Sequence, residues 1–180
     1  MNASQKIIVI TGAESTGKSV LTEWLAKYFH APFLPEFARE HIENLNRKYT
    51  YDDVELIAHE QVSRLKTIQT KNSGAPYIFL DTWLIITKIW FEVVFNHLPS
   101  WLDDQIKSTP IDLFLVCNTD LPWIPDPVRE NGGEQREILQ QKYIETIKDY
   151  NFNYKIVSGK NQERNNNALQ YVLQMTKKPG

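Results

Sequence analysis

Eight residues near the N-terminus, Gly12-Ala-Glu-Ser-Thr-Gly-Lys-Ser19, constrain what this chain can fold into more than any other segment. They match the pattern G-x-x-x-x-G-K-[ST], which has physical meaning only between a buried strand and the start of a helix. That setting is present. Lys6–Thr11 (KIIVIT) is β-branched and almost continuously apolar, as expected of a strand buried on both faces of a parallel sheet. Lys18–Phe29 then places apolar side chains at 20, 21, 24, 25, 28 and 29, a helical stripe. Gly12 and Gly17 admit backbone angles closed to other residues, so successive N–H groups can turn toward anionic oxygens. The helix start adds its own unsatisfied N–H groups and the positive end of its dipole. Gly12, Ala13, Glu14, Ser15, Thr16, Gly17, Lys18, Ser19 and Val20 are therefore expected to enclose the phosphates of ATP or GTP. Lys18 offers a cation to the β- and γ-phosphates and Ser19 a hydroxyl ligand to Mg²⁺. The competing view, a strand–turn–helix connection with incidental glycines, leaves this combination of motif and context unexplained.

The remaining pattern repeats the alternation. Tyr77–Thr82 (YIFLDT), Asp112–Asn118 (DLFLVCN) and Tyr154–Ser158 (YKIVS) read as further buried strands, and Pro32–Phe37, with its two prolines, as a brief one. Between them, Tyr51–Lys71 reads as a long helix with Thr50 as N-cap and Asp53 completing a capping box. Trp83–His97 is apolar nearly all round and suits a core helix, while 99–107, 134–150 and 165–177 carry shorter or more polar helical patterns. Strands alternating with helices predict an α/β fold with a parallel sheet covered on both faces. With 180 residues, a single domain spanning 1–180 is expected, with a small lid near 124–137.

A net charge of −2 supplies no global field for nucleic acid or anionic lipid, so neither is an expected partner. Cys117 is the single cysteine and lies in an apolar run, which predicts a buried thiol and no disulfide. The longest apolar stretch, Trp83 to Phe95, is interrupted by Lys88 and Glu92 and is too short to span a bilayer. No signal-peptide pattern opens the chain, so a cytoplasmic location is expected.

A phosphate cradle alone does not separate a kinase from a nucleotide-driven switch. Three features favour a kinase. Glu36 and Arg39, in Pro35-Glu-Phe-Ala-Arg-Glu40, follow the second strand and can bind a second substrate, Glu36 by accepting a proton from its hydroxyl. The polar run Asp126 to Arg136 contains Gly132-Gly133 and two arginines, Arg129 and Arg136, either of which can neutralise a transferring phosphoryl group from a closing lid. Trp83, Trp90, Trp101 and Trp123 are placed to flank an acceptor cleft, with Trp83 and Trp123 as candidates to stack on a flat ring, and Trp24 as core. Asp81, closing YIFLD, is the expected second Mg²⁺ contact or the base, with Asp120 as competitor, because the carboxyl ends of parallel strands line the cleft. The loop Ser158–Arg164 is placed to approach a nucleotide base.

Taken with their order and spacing, GAESTGKS at 12–19, PEFARE at 35–40, LDTW at 80–83 and DLPWIPDPVRENGGEQRE at 120–137 make the chain resemble the NadR-type ribosylnicotinamide kinases over nearly its whole length. The resemblance implies an adenylate-kinase-like P-loop fold with strand order 2-3-1-4-5. It also implies transfer of the γ-phosphoryl group of ATP to the 5′-hydroxyl of nicotinamide riboside. The pattern departs at LDTW, where Trp83 stands in place of a second acidic or polar residue. An adenylyltransferase domain and a DNA-binding helix-turn-helix, which such proteins also carry, are not expected here. A kinase for another nucleoside or small metabolite, and a regulatory ATPase or switch, are the alternatives; the sequence does not report the oligomeric state.

Overall fold

A computed structural model describes residues 5–126 and 132–176. Five strands, β1 (Lys6–Thr11), β2 (Phe33–Leu34), β3 (Tyr77–Asp81), β4 (Leu113–Cys117) and β5 (Tyr154–Val157), form one sheet in the order β2-β3-β1-β4-β5. Every pairing is parallel. The expected α/β architecture and strand order are those observed.

Side-chain alternation on β1 explains the layering. Ile7 and Val9 point to one face, where they join Ile78, Leu80, Phe114 and Val116 against α3 (Tyr51–Lys71), α4 (Leu84–Trp90) and α6 (Glu134–Asp149). Ile8 and Ile10 point to the other and meet Phe79, Leu115 and Cys117 under α1 (Lys18–Phe29) and α7 (Asn161–Thr176). Both faces are thus apolar over β1, β3 and β4, which is why these strands read as uninterrupted hydrophobic runs; β5, expected to be buried like them, is an edge strand with Lys155 and Ile156 exposed. Cys117 is buried as expected, and its burial pushes the thiol up to about 11, leaving it unreactive near neutral pH.

Three further elements differ from the sequence expectation. The strand expected over 32–37 is reduced to Phe33–Leu34: Pro35 has no N–H to pair, and Glu36 already caps α2 (Phe37–Glu43). The helix expected over 83–97 is α4, followed by a single π-helical turn at Phe91–Phe95 that ends on Asn96 at φ 49°. This turn rotates Val93 and Val94 out to solvent, whereas Phe91 stays buried. The last helix begins at Asn161, before the expected 165. Helix α5 (Ser100–Ser108) completes the set, and the capping box of Thr50 and Asp53 forms with both reciprocal hydrogen bonds. Arg47 adds a charged hydrogen bond to Asp53 and holds its carboxyl well below the usual carboxylate range. Among the described residues, no helix is long and apolar enough to cross a membrane.

Candidate functional site

The cradle connects β1 to α1 at the carboxyl edge of the sheet. Gly12 takes φ 135° and passes so close to β4 that a Cβ atom there would lie 2.6 Å from the Cys117 carbonyl oxygen. Ser15 (φ 56°) and Gly17 (φ 77°) complete the loop in left-handed geometry. No side chain caps α1, whose N-cap is Gly17, so its first-turn N–H groups remain available to an anion. These features fit a polyphosphate, and Gly12→Ala tests them: it is expected to lower stability by about 2–4 kcal/mol and to abolish nucleotide binding, read by thermal melting and by titration with an ATP analogue. A variant that binds nucleotide like the wild type would show that the loop tolerates displacement from β4.

Lys18 lies at the mouth of the loop, its ammonium donating to the Ala13 carbonyl at 3.0 Å. Ser19 and Val20 are exposed on the first turn, Val20 at 72%. Thr16 is buried and its hydroxyl donates to the same Ala13 carbonyl at 2.8 Å.

Asp81 reaches this loop through strand register. It is paired with Ile10, two residues before Gly12. It is only 4% exposed, lies close enough to the Ser19 hydroxyl to be stabilised by it, and has one carboxylate oxygen without a partner among the described residues. Burial first, then the nearby negative charge of Glu36, push its carboxyl up to about 6, against the opposing effects of Ser19 and Lys18. Thr82, the next residue, holds φ 69°, a strained angle for a β-branched side chain. A hydroxyl and an under-coordinated carboxylate side by side are the hard oxygen donors that Mg²⁺ takes from a protein when phosphate oxygens supply others. Ser19 and Asp81 therefore fit that ion. Asp120, the expected competitor, is committed elsewhere: it accepts from the Gly159 N–H at 2.7 Å and pairs with Arg164.

On the acceptor side, Glu36 is half-buried at the N-terminus of α2. Its charge acts on Asp81, so the two acids share one electrostatic neighbourhood. A small cleft beside them is lined by Pro35, Phe37, Gln61, Arg64, Asp81, Thr82 and Trp83. The guanidinium of Arg64 lies 4.1 Å over the Phe37 ring at this cleft. Arg39 is paired with Asp126 at 2.6 Å and with Glu43 at 2.8 Å, tying α2 to the segment that follows β4. Trp83 lines the cleft but is 2% exposed, and its indole N–H has no partner among the described residues.

Other expected placements change. Trp123 lies on the donor side: its indole N–H donates to Glu14 at 3.3 Å, and its ring packs against Gly132. Trp101 donates to Glu55 at 2.9 Å and stacks on His59, while Trp90 meets Tyr49 edge-on, so both fasten helices rather than line the cleft. Trp24 is partly buried and stacks on Tyr28. Arg136 does not reach over the phosphate side from a lid. It is 6% exposed in the first turn of α6, and its guanidinium donates to the carbonyls of Glu14, Ser15 and Leu121. Arg129 lies outside the described residues.

Residues missed from the sequence lie behind the loop. Gln140 on α6 accepts from the Ala13 N–H at 2.8 Å and donates to the Cys117 carbonyl at 2.9 Å, locking the cradle to β4. Arg164 on α7 donates to the Thr16 carbonyl at 3.1 Å. Tyr143 is buried with its phenol pushed well above its ordinary range, by burial and then by the charges of Glu14 and Glu36. Nothing in the local pattern of α6 distinguishes Gln140 from its polar neighbours.

A glycine-lined phosphate loop at the carboxyl edge of a 2-3-1-4-5 parallel sheet, with lysine, serine and a buried aspartate around it, defines a P-loop nucleotide-binding protein of the kinase-like topology. A family model described as an AAA domain matches residues 7–164, and the chain belongs to that family. It is 23% identical over 156 residues to the trifunctional NAD biosynthesis/regulator protein NadR of Salmonella typhimurium, and 23% over 155 residues to that of Escherichia coli. The matches cover 83% of this chain and 37% of either relative, so the chain spans little more than a third of their length. Among solved structures, a NadR protein in complex with NR aligns over 96% of this chain and 51% of its own, with TM-score 0.74 and 24% identity. NadR in complex with NAD and AMP-PNP gives TM-score 0.74 at 23% identity, covering 96% and 49%. A thymidylate kinase from Ehrlichia chaffeensis gives 0.67 at 11% identity, covering 97% and 100%. At these identities the structural likeness speaks for the fold.

Proposed function

We propose that this chain is an ATP-dependent small-molecule kinase that phosphorylates the 5′-hydroxyl of nicotinamide riboside to give nicotinamide mononucleotide. The observation that carries a kinase reading is the buried acid Asp81, acted on by Ser19, Lys18 and Glu36 and lining a small cleft apart from the phosphate loop. Nicotinamide riboside is supported by the likeness to NadR, one of whose structures is a complex with NR.

In this reading the oxygen of the acceptor hydroxyl forms a bond to the γ-phosphorus while the bond from that phosphorus to the β–γ bridging oxygen breaks, releasing ADP. The hydroxyl proton passes to Glu36 or Asp81. The cradle N–H groups and the Lys18 ammonium hold the β- and γ-phosphates, and Ser19 with Asp81 would hold Mg²⁺, which when bound offsets phosphate charge. The walls of the cleft, including Trp83, position the acceptor; Arg39, held by Asp126 and Glu43, braces α2 beside it, while Trp123 steadies Glu14 and through it the loop.

A coupled assay of ADP release with and without nicotinamide riboside tests this reading. Release that requires the riboside, with nicotinamide mononucleotide as product, is the expected result. Release driven instead by another nucleoside would reassign the acceptor, and acceptor-independent hydrolysis would favour an ATP-driven switch.

A further inference from the structure

Three consecutive carbonyl groups of the cradle are held from behind by two buried arginines. Arg136, on α6, donates through Nε to Glu14 O at 2.9 Å and through an Nη to Ser15 O at 3.1 Å. Arg164, on α7, donates to Thr16 O at 3.1 Å. Arg136 is 6% exposed and Arg164 4%. Both are anchored beyond the loop as well, Arg136 on the Leu121 carbonyl and Arg164 on the carbonyls of Gly159, Val157 and Asn118 and on Asp120. The loop is thus fastened to helices that are remote in sequence.

The consequence follows from peptide geometry. In a trans peptide the C=O and the N–H of the same plane point in opposite directions. Fixing the carbonyls of Glu14, Ser15 and Thr16 toward the protein therefore turns the N–H groups of Ser15, Thr16 and Gly17 the other way, toward the phosphate side. Left alone, a loop with a glycine and a left-handed serine has several peptide orientations of similar energy. We propose that Arg136 and Arg164 are positioning residues that preset the cradle N–H groups for a nucleotide triphosphate, acting on backbone carbonyls rather than on the phosphates. The arrangement has a cost, because the Arg136 guanidinium is taken almost wholly out of water. Burial is the main cause that lowers the proton affinity of Arg136 from its ordinary value; Glu137 opposes it, and the charge of Arg164 adds to it less, against Asp120 and Glu14.

This inference rests on the nucleotide-binding reading of the loop, and its test keeps the two apart. Binding of AMP-PNP with Mg²⁺ is measured by calorimetry on the full chain, as wild type and as Arg136→Lys, Arg136→Met and Arg164→Lys, with thermal melting for each. Lysine keeps the positive charge but has no planar fork to span two successive carbonyls. Both Arg136 variants are therefore expected to bind the analogue at least about tenfold more weakly, lysine giving little rescue, at temperatures where melting shows them folded. A similar loss is expected for Arg164→Lys. If a variant does not fold, the remaining ones carry the test, since each arginine holds its own carbonyls. Folded lysine variants that bind like the wild type would overturn the inference, because charge alone would then suffice. A wild type that binds no nucleotide would overturn the reading of the loop and this inference with it.

Discussion

Lys18→Ala is expected to lower phosphoryl transfer by about a hundred- to a thousandfold, the cost of removing one group aimed at developing charge. Little loss of thermal stability should accompany it. The Ala13 carbonyl that receives the Lys18 ammonium also receives the Thr16 hydroxyl at 2.8 Å, so the loop keeps a partner when the lysine is gone. The helix itself begins on a residue whose side chain has no capping role, and alanine suits that position. Steady-state rates with saturating ATP and the proposed acceptor, nicotinamide riboside, together with a melting curve, separate the two effects. A variant that turns over at the normal rate would remove Lys18 from the mechanism. A variant that fails to fold would show that the lysine holds the loop together.

The second large effect is expected at Asp81, and it has opposite signs in activity and stability. In the folded chain burial, and then the charge of Glu36, push the carboxyl up to about 6, well above the usual aspartate range. The folded state therefore binds this proton more tightly than the unfolded chain does. The favourable contribution of the protonated acid is fully present below about pH 4 and is lost as pH rises through 6. Above that, holding a charged, almost fully buried carboxylate costs about 3 kcal/mol by the usual conversion of such a shift. Asp81→Asn removes that charge with nearly the same shape. Without nucleotide and Mg²⁺, its melting temperature at pH 8 should exceed that of the wild type, and the difference should shrink as pH falls toward 4. Transfer activity should fall about a hundredfold or more, because an amide can neither accept the hydroxyl proton nor neutralise a cation. An asparagine variant less stable than the wild type at pH 8 would contradict the electrostatic account. Stability withheld at one residue for the sake of chemistry is the usual mark of a working site.

Much of the fold is legible before any coordinates. The β1 strand, the loop and α1 were bounded to the residue by their own pattern, since KIIVIT, two glycines and a 3.6-residue stripe are all short-range signals. The capping box at Thr50 was equally local. The strand expected over 77–82, observed as Tyr77–Asp81, also indicated which end of the sheet would carry an acid. The π-turn at Phe91–Phe95 escaped because a run that is apolar on every side has no periodicity to betray a change in helical pitch.

The site divides in the same way. Gly12, Gly17, Lys18 and Ser19 follow from a motif whose residues are neighbours in sequence, and so the sequence alone determined where the loop lies and which groups it offers to a phosphate. It favoured Asp81 over Asp120 by position alone, since Asp81 closes a strand and Asp120 only follows one. Only packing shows that one keeps an unpaired oxygen beside Ser19 while the other is consumed by Arg164 and Gly159. The sequence could not tell a phosphate-facing arginine from one that fastens the loop. Arg136 stands more than a hundred positions from the carbonyls of Glu14 and Ser15, and only the tertiary structure brings them within hydrogen-bond reach. The physical reason is range: backbone geometry is written in near neighbours, whereas the partner of a buried charge is whatever the fold carries to it.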